Sequence, residues 1–303
     1  MIVLNQVIIM ALLILVGVIC YKTKIVNSES TKSLSSLVLM VVNPIIIIVS
    51  YQVPFTKRLL KGLLISLLFS VISTVIAIVL SHVFIRKKGE RLSLERFSAI
   101  YSNCGFMGIP LINGVYGEEG VFYLTAYVTV FNLLVWTHGV FMMKGKFNLK
   151  MIVSAFKNTA VIATILGFIL FIFKITIPST IFDTLSFLAD MNTPLAMIAA
   201  GATIAQTNIL NSLKNARLYL VSAVKLVAVP AVTALMLCFL PVNNVIIGTI
   251  VLASACPAAA TGTLFAIRFN KDSFYASELF AVTTLLSIAT LPLVMEAAQR
   301  LMS

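Results

Sequence analysis

Ser102-Asn103-Cys104-Gly105-Phe106-Met107-Gly108-Ile109-Pro110-Leu111 sets two glycines and a proline in the middle of an otherwise apolar run. Proline has no N–H to donate, and its ring collides with the carbonyl four residues back, so a helix through this stretch breaks or kinks. Ala255-Cys256-Pro257-Ala258-Ala259-Ala260-Thr261-Gly262 has the same character near the other end of the chain. Two half-helices that start beyond such breaks aim free N–H groups and partial positive charge at one point, an arrangement suited to an anion. The plainer reading is a pair of proline kinks that only pack.

Around these stretches the composition points to lipid. Of the 303 residues, 60% are hydrophobic and 11% charged, against about 45–50% and about 25% in a soluble domain. A larger soluble core cannot absorb the excess, because single cores stop growing near this size. Broken backbone at membrane depth persists only where protein buries it or a wet cavity meets it, so the two stretches mark interior positions. The net charge of +12 raises nucleic acid as a partner. The basic residues, however, sit in short clusters between apolar runs, which fits loops facing an anionic leaflet and no nucleic acid. Cys20, Cys104, Cys238 and Cys256 lack metal or redox spacing and read as small hydrophobes. With only His82 and His138 present, neither a metal site nor any cofactor is expected.

Runs long enough to cross a bilayer as helix fall at 2–21, 33–52, 60–85, 96–115, 120–143, 151–173, 182–206, 217–240, 244–267 and 274–298. The first lacks a basic leader before it and reads as a helix, not a secretory signal. With ten crossings, 16 of the 22 basic residues share one side: Lys22, Lys24 and Lys32; Arg86, Lys87, Lys88, Arg91 and Arg96; Lys144, Lys146, Lys150 and Lys157; Lys214 and Arg217; Arg268 and Lys271. The positive-inside rule makes that side cytoplasmic and puts both termini outside. Lys57, Arg58 and Lys61 run against the pattern.

The chain repeats itself. Asn43-Pro44 in the second run matches Asn192-Thr193-Pro194 in the seventh at offsets of 149–150, and Pro110 matches Pro257 at 147. Five crossings per half is an odd number, so residues 147–303 insert upside down relative to residues 1–146. This inverted repeat marks many secondary transporters. The expected fold is all-α: ten transmembrane helices in two inverted five-helix repeats, with broken, crossing fourth and ninth helices.

Several polar residues lie at membrane depth. Asn103 and Asn132 either bind substrate or bridge helices, since a buried amide needs a partner. Asp190 is either an ionisable carrier or an N-terminal cap at the interface. Lys225 pairs with Asp190, attracts an anion, or snorkels to the cytoplasmic interface; snorkelling is the favoured reading. Glu278 reads as an interfacial charge near a helix start, and His138 as a hydrogen-bonded helix contact. Ser154-Ala155-Phe156-Lys157 fits a short Ser-x-x-Lys pattern without companion motifs, and no phosphate-binding loop is present. An enzyme is not expected.

Asn103 through Leu111, followed by Val115-Tyr116-Gly117, resembles the fourth helix of the auxin efflux carrier family, which includes plant PIN-type carriers and bacterial malate and malonate carriers. Leu188-Ala189-Asp190 with the small residues through Gly201, Cys256-Pro257, and Thr283 through Pro292 resemble its seventh, ninth and tenth helices. The resemblance covers the whole chain. It implies that the fourth and ninth helices cross at Pro110 and Pro257 with substrate beside them. Asn103, Gly105, Ile109, Pro110, Asn132, Pro257 and Ala258 then form the site. Asp190, Asn192 and Lys225 become coupling or gating residues, with Asp190 on the scaffold side. It further implies a scaffold of the first, second, sixth and seventh helices, a homodimer through the second and seventh, and an elevator motion. The long cytoplasmic loop of the plant carriers is missing.

The expectation is therefore a multi-pass carrier in the cell membrane for a small organic anion, either an auxin-like monocarboxylate or a malate-type dicarboxylate. A sodium-coupled symporter, a non-transporting receptor or scaffold, and an intramembrane enzyme are the competing classes.

Overall fold

The computed structural model describes residues 2–86, 89–145, 153, 155–207, 212 and 214–302. Lys87, Lys88, Lys146, Lys150 and Ser154 lie outside the described residues, as does the boundary between the two expected repeats. The described chain is helical: α1 (Ile2–Lys22), α2 (Ser28–Ser50), α3 (Lys57–Phe84), α4 (Leu92–Ile100), α5 (Cys104–Lys144), α6 (Thr159–Ile172), α7 (Ser179–Ala205), α8 (Ala216–Leu237), α9 (Asn244–Ala255), α10 (Thr261–Arg268) and α11 (Ser273–Met302). Among the described residues seven helices are long and apolar enough to cross a membrane, and α6 and α9 are shorter apolar helices.

The apolar runs become helices because lipid offers no partner for backbone groups, which must bond within the segment. Asn27, Thr56, Asn158, Asn215 and Asn243 begin five of them, each accepting a bond from a backbone N–H of the first turn. On α1, Leu4, Ile8, Leu12, Leu15 and Ile19 recur every three or four residues and stay exposed. Such a stripe is costly in water and costs nothing against acyl chains.

α5 is a hairpin. Gly117 takes φ 62° and ψ −155° inside it, a conformation that residues with a Cβ avoid. The chain reverses there: the Cβ position of Gly108 lies 3.9 Å from Leu124, and that of Gly120 lies 2.9 Å from Ile112.

Contacts between loops fall into two sets at opposite ends of α3, whose 28 residues span about 42 Å. At the end where α3 starts, Arg58 pairs with Glu119 at 3.4 Å, and Gln52 accepts from the Ile177 N–H at 2.9 Å. At the other, Arg91 pairs with Asp272 at 2.7 Å, Arg217 pairs with Glu95, and Ser212 donates to Glu278 at 2.9 Å. One member of the awkward basic trio is thus matched to a carboxylate.

α1 and α7 pack backbone to backbone. A Cβ on Gly201 would overlap the carbonyl of Ile14, and one on Gly17 would overlap that of Ile198. Small residues give membrane helices their close approach. Gly201→Val is expected to destabilise the protein by about 1–3 kcal/mol, read as a lower midpoint of thermal unfolding in detergent. An unchanged midpoint would show that the two helices separate freely.

Candidate functional site

Three prolines shape the site through π-helical turns. Val38–Val42, Cys104–Gly108 and Val224–Ala228 are each wound as a π turn, ending two residues before Pro44, Pro110 and Pro230. In each, the residue before the proline donates to the carbonyl five residues back: Asn43 to Val38, Ile109 to Cys104, Val229 to Val224. The wider turn relieves the clash between the proline ring and the carbonyl at i−4. A fourth π turn, Val135–Gly139, has no proline after it.

The expected crossing of the fourth and ninth runs exists, but Pro110 is not at it. α4 ends at Ile100 and the chain is extended at Tyr101, with φ −92° and ψ 118°. Asn103 N–H donates to the Pro257 carbonyl at 2.8 Å, Ala259 N–H donates to the Tyr101 carbonyl at 2.9 Å, and Ser102 and Ala258 form an antiparallel bridge. The crossing is a miniature of a β ladder, where two broken backbones satisfy each other. Pro110 is the seventh residue of α5, where the π turn before it makes room for its ring. Its carbonyl accepts from Gln6 at 3.0 Å.

Lys225 does not snorkel. It is fully buried, and its ammonium donates to Ser102 Oγ and, at 2.8 Å, to the Ser254 carbonyl. Ser254 belongs to the last turn of α9, whose end carries unsatisfied carbonyls and partial negative charge. The lysine therefore caps the half-helix that points into the crossing, and it has no carboxylate partner among the described residues. Snorkelling fails because Lys225 lies on the inward face of α8, with Val227 two positions on exposed, and its stem is directed at that helix end. Asp190 is exposed at the end of the segment Ser179–Asp190. It neither meets Lys225 nor caps a helix start, because α7 continues through Met191. Two positions on, Asn192 faces the opposite way and is buried, donating to Asn43 Oδ1 at 2.6 Å. The two asparagines that mark the repeat thus touch.

A cavity of about 220 Å³ lies against the crossing. One wall comes from α2 and the start of α6 (Leu39, Met40, Asn43, Asn158, Thr159, Ala160), the other from α5 and α10, with Ser102, Asn103, Ala259 and Ala260 between. Of the four π turns among the described residues, three contribute lining residues, among them Met40, Phe106 and Trp136. α5 and α10 begin at the crossing, so their first-turn N–H groups and the positive ends of their dipoles lie beside this space, while Lys225 neutralises the negative end of α9. Asn103 is 5% exposed, and its amide nitrogen has no partner among the described residues; the Thr261 hydroxyl likewise has none among them.

Of the residues expected at the site, Asn103, Gly105 and Asn132 line the cavity, whereas Ile109, Pro110, Pro257 and Ala258 do not. Gly105 is where the walls meet, since a Cβ there would stand 2.9 Å from Asn43 Nδ2. Asn132 spends its amide on the Val128 carbonyl at 2.8 Å. His138 bonds Tyr101 Oη at 2.8 Å, the helix contact expected of it. The sequence reading passed over Asn43 as a lining group, Thr261, Trp136 and Arg268. A signal existed for two: Asn43 precedes a repeated proline, and Trp136 is the lone tryptophan.

The membrane transport protein family matches this chain twice, over residues 2–148 and 145–295. The chain is 27% identical over 199 residues to the uncharacterized transporter YfdV of Escherichia coli (strain K12), 62% of each chain being covered, and equally so to that of Shigella flexneri. An uncharacterized transporter of Methanothermobacter thermautotrophicus is 27% identical over 199 residues, 65% of each chain. The alignment thus spans less than two thirds of these relatives' length.

Proposed function

Since this chain belongs to the membrane transport protein family, that of the auxin efflux carriers, we propose that it is a secondary transporter carrying a small organic anion through the cavity at the crossing. The observation that carries this reading is the unpartnered Asn103 amide beside two helix N-termini in a space between two sets of helices. An anion there completes the amide's bonding and meets the positive dipole ends.

The ten-helix inverted repeat belongs to the same proposal. Separating the arms of the α5 hairpin, counting the broken pairs α4 with the first arm and α9 with α10 as one crossing each, and adding α6 gives ten. The two-sided sorting of loop contacts supports it. In the elevator form, α1, α2, α6 and α7 stay fixed while the other helices slide, with Gly105 leaving clearance against Asn43. Ile109 and Pro110 then set the π turn beneath the anion, and Pro257 and Ala258 hold the crossing. Asp190, on the scaffold surface, takes no part in binding. Pairing of two copies through α2 and α7, and both termini outside, complete the proposal.

The test is uptake of labelled malate, malonate and indole-3-acetate by proteoliposomes, under proton, sodium or no gradient. One of these anions is expected to move, with flux falling at least about tenfold in Asn103→Leu and in Pro110→Ala protein that still folds. A tenfold loss corresponds to about 1.4 kcal/mol. No flux of any anion under any gradient would overturn the reading. Flux that needs sodium would select the symporter.

A further inference from the structure

We propose that Arg268, held over Trp136 at the edge of the cavity, selects the charge of the transported molecule by receiving its carboxylate. The inference rests on the carrier reading and adds a specificity residue to it.

Among the described residues, Arg268 is the one formally charged residue lining the cavity. It ends α10, whose first residue, Thr261, stands at the crossing, so the arginine lies about 10 Å further out along the same wall. Its guanidinium carbon is 5.5 Å from the Trp136 ring centroid and 5.9 Å from that of Phe269. Arg58, Arg91 and Arg217 are each paired with a carboxylate, but Arg268 has none within ion-pair distance among the described residues. Contact with these rings engages no carboxylate, so the planar N–H fork of the guanidinium is available to one. Phe106, Phe131 and Phe265 give the cavity an apolar wall beside this cation. At its inner end the buried, unpartnered Asn103 amide is a second donor. The arrangement takes an anionic group at the rim and passes it to neutral donors inside, where the one cation of the crossing, Lys225, is already engaged by Ser102 and the Ser254 carbonyl.

Trp136 is the only tryptophan in the chain, so its fluorescence reports the site without transport. The probes are phenylacetate, its neutral amide phenylacetamide, and malonate, titrated into full-length protein in nanodiscs with excitation at the red edge. Phenylacetate is expected to change the emission and to bind on the order of tenfold or more tighter than the amide, as one charge-assisted bond supplies. Arg268→Gln is expected to abolish that preference while leaving amide binding unchanged, and Arg268→Lys to restore part of it. In proteoliposomes Arg268→Gln is expected to raise KM for the transported anion with little change in kcat. A preference or a KM that survives in Arg268→Gln overturns the inference while leaving the carrier reading intact. No response to either carboxylate, together with no flux of any anion, overturns both.

Discussion

Lys225→Met protein is expected to fold and to lose transport, with flux down at least about tenfold. Methionine fills a similar volume, and removing a buried charge that has no ionic partner also removes its desolvation cost. What disappears is the ammonium donated to Ser102 Oγ and the Ser254 carbonyl. The crossing then keeps its backbone bonds between Asn103 and Pro257 and between Tyr101 and Ala259, but the carbonyl end of α9 is left without its cation. That negative end lies beside the space where the proposed anion sits, and it would offset the positive ends of α5 and α10. Thermal unfolding and proteoliposome uptake, measured on one preparation, separate the two effects. Wild-type flux in the variant would show that the lysine is dispensable to the crossing; a collapse of folding would make it a structural cap only.

Arg217→Ala is expected to be the more destabilising change, at about 3 kcal/mol. Glu95 is 2% exposed and accepts from Arg217 and, at 2.9 Å, from the Tyr275 hydroxyl. These three residues tie the starts of α4, α8 and α11 together, and Arg91 lies over the Tyr275 ring at 4.3 Å. Without Arg217 the carboxylate stays buried with one neutral donor, and breaking such a pair costs about 3–5 kcal/mol. The lower end applies because Arg217 keeps 27% side-chain exposure. Adding Glu95→Leu to Arg217→Ala removes the stranded charge and is expected to recover part of the loss. Arg58→Ala, whose pair with Glu119 is exposed, is expected to cost under about 1 kcal/mol. Equal unfolding midpoints for the Arg217 and Arg58 variants would contradict this account.

What the sequence determined by itself is what depends on composition and on local stereochemistry. Lipid as the main solvent follows from the hydropathy of the runs, and glycine and proline mark the fourth and ninth as the irregular ones. The matched Asn43 and Asn192, found as marks of a repeat, meet at 2.6 Å. Tertiary structure alone decided where those features act. The fourth run breaks at Tyr101–Asn103 and not at Pro110, because the extended residues find their partners in a segment some 150 residues away, and a π turn absorbs the proline. A lysine that snorkels and one that caps a buried helix have the same sequence signature; the packing of α8 against the crossing chose the second for Lys225. Asp190 and Asn192 are neighbours in sequence, yet helical rotation sends one outward and one into the core. Arg268 reads as one more loop cation until the end of α10 lays it over Trp136. Hydropathy sums over a run and so survives in one dimension, whereas the direction and partners of a single polar side chain are set by which helix faces it.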